Sequence, residues 1–191
     1  MIARTRRKTD GYRQEICLND GSRIILRPIC LQDRDSLRAF YGRLSEDTRF
    51  LRYQYHRAEI TEDELERFCD IDYDNSLALV AERGPFGQRD IIGVGRYYRL
   101  DNPAIAEVAF VIQDDEQGKG IGTQLLKHLA FQAKKNDIEY FVGEVLRNNG
   151  RMLSIFRKAD PGMEHINENG STCDVTLSVS EIVHNSLFLD P

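Results

Sequence analysis

The sequence predicts an α/β fold, one mixed sheet of about seven strands with helices on both faces. Three observations carry this. The element order reads strand, helices, three strands, helix, strand, helix, hairpin. Residues 105–113 are almost wholly apolar apart from Glu107, as expected of a central strand buried on both faces. A glycine-rich turn directly after that run opens a helix whose apolar positions Ile121, Leu125 and Leu129 fall four apart.

The first strand is expected at residues 23–27 and stops at Pro28, which cannot donate to a ladder. Helices follow at 35–41 and 48–52. The next helix has the clearest start signal: Thr61 and Glu64 form a capping box, Ile60 and Leu65 can staple across it, and Leu65, Phe68 and Cys69 share a face. Strands at 77–81 and 91–98 are joined through the turn Gly84-Pro85-Phe86-Gly87. Beyond the glycine-rich helix come a strand at 140–146 and a short helix at 152–158, ended by Asp160-Pro161-Gly162. A hairpin closes the sheet, its Asn169-Gly170 turn flanked by residues 163–165 and 175–179. Residues 1–20 are read as a loose arm, 21–180 as one domain and 181–191 as a tail.

At 191 residues the chain can bury a core without disulfides or structural metal. It carries 26 basic and 31 acidic residues, a net charge of −5 that disfavours a globally basic nucleic-acid binder while leaving a local basic patch open. No apolar run approaches the length of a membrane span, and the basic start lacks the apolar stretch of a signal peptide. Cys17, Cys30, Cys69 and Cys173 are scattered, as reduced thiols in the cytoplasm would be, and the four histidines have no metal spacing. The expectation is a cytoplasmic protein with no metal and no membrane or nucleic-acid partner.

The strongest functional signal is Gln117-Gly118-Lys119-Gly120-Ile121-Gly122, between the central strand and its helix. Glycines let a backbone approach a ligand closely, and free amides at a helix start attract anions. A Walker A loop needs Ser or Thr after its lysine, and Lys119 is followed by Gly120. The spacing also departs from the dinucleotide fingerprint. The string resembles the Arg/Gln-x-x-Gly-x-Gly/Ala motif of the GNAT N-acetyltransferase superfamily, whose fold matches the element order along most of the chain. That resemblance implies acetyl-CoA as cosubstrate. Residues 117–122 and Thr123 would hold its pyrophosphate, and main-chain groups of Val111 and Ile112 its pantetheine arm. Asn149 and Met152 resemble the Asn-x-x-Met element that follows the fifth strand of that family.

A closer resemblance is to the GNAT domain of Pat-type bacterial protein lysine acetyltransferases. It rests on Leu44-Ser45-Glu46-Asp47-Thr48-Arg49-Phe50-Leu51-Arg52-Tyr53, Ile71-Asp72-Tyr73-Asp74 and Gly143-Glu144-Val145-Leu146. It implies a lysine acceptor on a partner protein, with an AMP-forming acyl-CoA synthetase as candidate. The chain length leaves no room for the second domain many such proteins carry, and a monomer or homodimer is expected.

Acetylating lysine requires a neutral amine, and removing its proton near neutral pH costs about 4 kcal/mol. Glu107 is the expected general base, its carboxyl raised by desolvation inside the apolar strand, and its position resembles that of the catalytic glutamate on this strand in many GNAT lysine acetyltransferases. The alternative for Glu107 is a structural pair with Arg96 or Arg99, and Glu144 is the rival base. The general acid is open: Phe156 stands near where many GNAT enzymes have tyrosine, and Tyr53, Tyr73 and Tyr97 are substitutes by residue type alone. Acetylation of a small amine and non-catalytic acyl-CoA sensing are the competing functions.

Overall fold

The computed structural model describes residues 11–54, 59–85, 87–166 and 170–186. Eight strands form one sheet in the order β1 (Gln14–Cys17), β2 (Arg23–Pro28), β3 (Ser76–Arg83), β4 (Asp90–Arg99), β5 (Ile105–Ile112), β6 (Tyr140–Leu146), β8 (Thr172–Ser178), β7 (Glu164–Ile166). Every neighbouring pair is antiparallel except β5 and β6. The helices are α1 (Arg34–Gly42), α2 (Glu46–Tyr53), α3 (Glu62–Cys69), α4 (Ile121–Lys135), α5 (Gly150–Ala159) and α6 (Val179–Ser186).

Strand alternation assigns these helices to two faces. Gly95 of β4 faces α4, where a Cβ would sit 2.9 Å from Phe110 Cδ1 and 3.2 Å from Leu125 Cβ. Its neighbour Arg96 points the other way, its guanidinium 4.3 Å from the Phe68 ring centre on α3. The core contains fully buried Phe40, Tyr97, Phe141 and Phe156. No helix among the described residues is long and apolar enough to cross a membrane.

Two boundaries differ from the sequence expectation. Residues 14–17, read as part of a loose arm, pair antiparallel with Arg23, Ile24, Ile25 and Leu26. This edge strand is largely exposed and has only Ile16 half-buried, so its pattern is too weak to read as a strand. The expected tail also begins inside α6, whose Val179, Ile182 and Val183 are buried at helical spacing. Residues 1–10, Phe86, Asn169 of the predicted hairpin turn, His56 and residues 187–191 lie outside the described residues.

The feature that positions the site is the junction of β5 and β6. Their pairing covers only Ile105 with Tyr140, Ala106 with Phe141 and Glu107 with Val142. Both strands then run on, to Ile112 and Leu146, without pairing further. The sheet therefore splays open immediately beyond Glu107.

Candidate active site

The glycine-rich turn builds the first part of the site. Gly118 (φ +81°) and Gly120 (φ +99°) adopt left-handed conformations that favour glycine. Gly120 is the N-cap of α4 and offers no side chain to the helix, so the amides of Ile121, Gly122 and Thr123 lack a capping side chain. These amides, and the positive end of a 15-residue helix, bound a 640 Å³ cleft between β5, α4 and α5. Gly122 has a second role, since a Cβ there would lie 2.9 Å from Ile155 Cδ1 of α5.

Ten of the eleven residues expected to hold the cosubstrate line this cleft: Val111, Ile112, Gln117, Gly118, Gly120, Ile121, Gly122, Thr123, Asn149 and Met152. Lys119 does not line it; its ammonium bonds Glu116, at 3.0 Å. Gln117 is tied up in protein contacts. Its Nε2 donates to Thr48 Oγ1 (3.1 Å) and Ile112 O (3.0 Å), and its Oε1 accepts from Arg151. It braces the loop, with little of its side chain left for a phosphate.

Strand register also shifts the main-chain reading. The Gln113 amide donates to Ile92 O on β4, so the odd-numbered residues of β5 direct their backbone groups toward β4. Phe110 and Ile112 therefore face the splay, and Val111 does not. Asn149 caps α5, its Oδ1 accepting from the Met152 amide at 3.1 Å.

The splay holds a second cavity of 290 Å³, lined by Glu107 and Glu144 with Tyr53 and Phe156. Leu51, Arg52, Phe110, Asn149 and Met152 line both cavities, which therefore adjoin. Glu107 is exposed, contrary to the expected desolvation, because its side chain leaves the sheet at the end of the β5–β6 ladder. The pairing with Arg96 or Arg99 is also absent. Arg96 Nη1 donates to the Tyr98 hydroxyl, and Arg99 donates to the carbonyls of Pro103 and Asn136. Neither Glu107 nor Glu144 forms an ion pair among the described residues.

Of the tyrosines considered as proton donors, only Tyr53 lines this cavity, and its hydroxyl donates to that of Tyr41. Tyr73 donates to Ile29 O, and Tyr97 accepts from Asn136, both in the core. Burial pushes the Cys30 thiol up and that of Cys69 up to about 11, so neither is activated as a nucleophile.

One set of positioning contacts escaped the sequence reading. Asp114 accepts from the Ser45 amide (2.9 Å), the Ser45 hydroxyl (2.6 Å) and the Thr48 hydroxyl (2.7 Å). Burial works against its ionisation, but these bonds outweigh it and hold the carboxyl below its ordinary range. The contact fastens the start of α2 beside the glycine turn, and the end of α2 then supplies Arg52 and Tyr53 to the reaction cavity. The Ser45 and Thr48 positions of the 44–53 segment carry it.

Comparison with known proteins follows the same lines. The family model described as acetyltransferase (GNAT) domain matches residues 23–160. Acetyltransferase PA5475 of Pseudomonas aeruginosa is 35% identical over 119 residues, 62% of this chain and 64% of that protein. Acetyltransferase Pat of Mycolicibacterium smegmatis is 32% identical over 136 residues, 71% of this chain and 40% of that protein. The chain thus spans less than two thirds of either relative. The GNAT domain of S. lividans PAT superposes with a TM-score of 0.78 at 26% identity, covering 87% of this chain and 96% of that one. The fold is shared by yncA of Salmonella typhimurium, a putative acetyltransferase solved with acetyl-CoA (TM-score 0.64, 15% identity, 83% of this chain and 95% of that one).

Proposed function

This chain belongs to the GNAT acetyltransferase family, and from that premise we propose that it transfers an acetyl group from acetyl-CoA to a lysine side chain of a partner protein. One observation carries the reading: a cleft lined by uncapped helix amides adjoins a cavity holding two carboxylates, Glu107 and Glu144, that have no ion-pair partner among the described residues. The first suits a diphosphate, the second an amine that arrives as a cation.

In this mechanism the amides of Ile121, Gly122 and Thr123 hold the diphosphate, and the splayed edge of β5 at Phe110 and Ile112 offers main-chain partners to the pantetheine arm. The thioester supplies an activated acetyl carbon. Glu107 accepts the proton of the incoming ammonium, directly or through water, and the freed amine attacks the thioester carbon. The new C–N bond forms as the C–S bond breaks, sulfur leaves as thiolate, and the nitrogen gives up its second proton to that thiolate or to water. Glu144 adds a second negative charge that draws the ammonium in.

The surroundings favour a protein acceptor over a small amine. Glu144 stands directly opposite Asp174 on β8, and both are exposed. Tyr98, opposite Glu107, and Tyr140 are exposed as well. The carboxylate cavity thus continues onto an open sheet surface that a macromolecule can reach. Likeness to Pat extends the proposal to a lysine on an AMP-forming acyl-CoA synthetase, where acetylation would remove the charge and reduce the donor capacity of the side chain. Phe156, 2% exposed and without a proton to give, favours one second reading, an acyl-CoA sensor without turnover.

The test is incubation with labelled acetyl-CoA, an acyl-CoA synthetase and a panel of free amines. Label on a synthetase lysine is expected. Label on free amines alone would overturn the protein acceptor, and cosubstrate binding without transfer to either would favour the sensor. In the same assay Glu107→Gln should retain acetyl-CoA affinity while losing about 10²–10⁴-fold in rate, with a smaller loss at high pH, where the acceptor is already neutral. An unchanged rate would pass the role of base to Glu144.

A further inference from the structure

The hairpin between β1 and β2 brings to the glycine turn a residue distant in sequence. Its three-residue loop Asn19-Asp20-Gly21 is closed by Leu18 N–H to Ser22 O (2.8 Å) and Gly21 N–H to Leu18 O (2.9 Å), with Gly21 left-handed at φ +79°. Leu18 is buried and anchors the loop in the core. Arg83 ties the hairpin to the glycine turn, donating to Ser22 Oγ (2.9 Å) and to Glu116 (3.0 Å), which also holds Lys119. The hairpin thereby brings Asn19, an exposed residue, to the wall of the 640 Å³ cleft, its Nδ2 3.5 Å from where a Cβ on Gly120 would lie. Its side-chain amide has no hydrogen-bond partner among the described residues.

Charge around this point nearly cancels. Asp20 and Glu116 balance Arg83 and Lys119, so the one cation of the glycine motif is already neutralised. The cations that line the cleft, Arg52, Arg151 and Lys158, stand on α2 and α5, and the turn itself offers neutral N–H donors. The uncapped amides of α4 form one side, and on the Gly120 side the nearest side chain among the described residues is Asn19 of the hairpin. We propose that Asn19 is a further binding residue for the acetyl-CoA diphosphate, donating from Nδ2 to a phosphate oxygen across Gly120. The proposal rests on the cosubstrate reading of the same cleft.

Calorimetry on the full chain tests it, with two ligands: acetyl-CoA, and S-acetylpantetheine, which keeps the thioester and lacks the diphosphate. Asn19→Ala should weaken acetyl-CoA about ten- to hundredfold, as loss of a hydrogen bond to a charged group does. Affinity for S-acetylpantetheine should stay the same. Asn19→Asp, of the same shape but anionic, should bind acetyl-CoA more weakly still and recover partly as salt is raised. Unchanged acetyl-CoA affinity in both variants, with wild-type binding present and circular dichroism intact, would overturn the Asn19 assignment alone. Equal losses for both ligands would also overturn it, by showing a general distortion of the cleft. Failure of the wild type to bind acetyl-CoA would overturn the cosubstrate reading and this one together.

Discussion

Gly120 is the residue at which conformation and ligand space meet. Its φ of +99° disfavours any side chain, and a Cβ there would already touch Asn19 Nδ2 at 3.5 Å. Gly120→Val adds two methyl groups to that gap, at a surface turn away from the core. Acetyl-CoA affinity should fall more than tenfold while the far-ultraviolet dichroism of the fold persists; calorimetry of the folded variant checks this, and unchanged affinity would remove the diphosphate from the turn. Gly95 makes the opposite case, since its value is packing alone. A methyl group there meets Phe110 at 2.9–3.0 Å and Leu125 at 3.2 Å, between two elements that cannot both retreat. Gly95→Ala should therefore destabilise the protein by about 1–3 kcal/mol in urea unfolding. Because Phe110 lines both cavities, acetyl-CoA binding should weaken too.

At the scale of elements, a largely buried cluster of one cation and two carboxylates joins β2, β3 and the turn before α1. Arg27 donates two 2.7 Å bonds to Asp33 and a further bond to Glu82, and the Cys30 amide donates to Asp33 at 2.8 Å. Burial alone would raise the Asp33 carboxyl, but its bonds and proximity to Arg27 prevail and hold it below its ordinary range. A depressed carboxyl contributes stability that is complete above its unfolded value of about 3.9 and is lost as pH falls through the lower folded value. Urea midpoints should therefore drop as pH falls below about 4, and Asp33→Asn, weaker at neutral pH, should show a shallower drop. Parallel curves would assign the acid sensitivity to other carboxylates. The same scale shows what the sequence made legible. The Thr61–Glu64 capping box forms as read, because both of its bonds are local. The splay of β5 from β6 was not legible, because it depends on where a ladder between distant segments ends. The exposure of Glu107 follows from that ending, so a strand that reads as buried on both faces leaves its one acid facing an open cavity. The Asp114 clamp was missed for the same reason: Ser45 and Thr48 lie 69 and 66 residues away.

The cleft is a property of the whole molecule. Asn19 comes from the first hairpin, Thr48 and Arg52 from α2, the glycine turn from the middle of the chain, and Asn149 and Met152 from the N-cap and first turn of α5. No contiguous segment could bring these walls together, so an unfolded chain offers acetyl-CoA no comparable site. A ligand that binds only the folded state stabilises it by RT ln(1 + [L]/Kd), about 2.7 kcal/mol at a hundredfold excess over Kd. For a domain of this size that corresponds to a rise in Tm of roughly 5–11 °C. The expected result is a rise of that order with acetyl-CoA in differential scanning calorimetry, and a smaller one with Gly120→Val at the same ligand concentration. S-acetylpantetheine at equal concentration should also give a smaller rise, since it forgoes the α4 amides. No rise with acetyl-CoA, or one that survives in full in Gly120→Val, would show that the ligand does not draw these separate elements into one site.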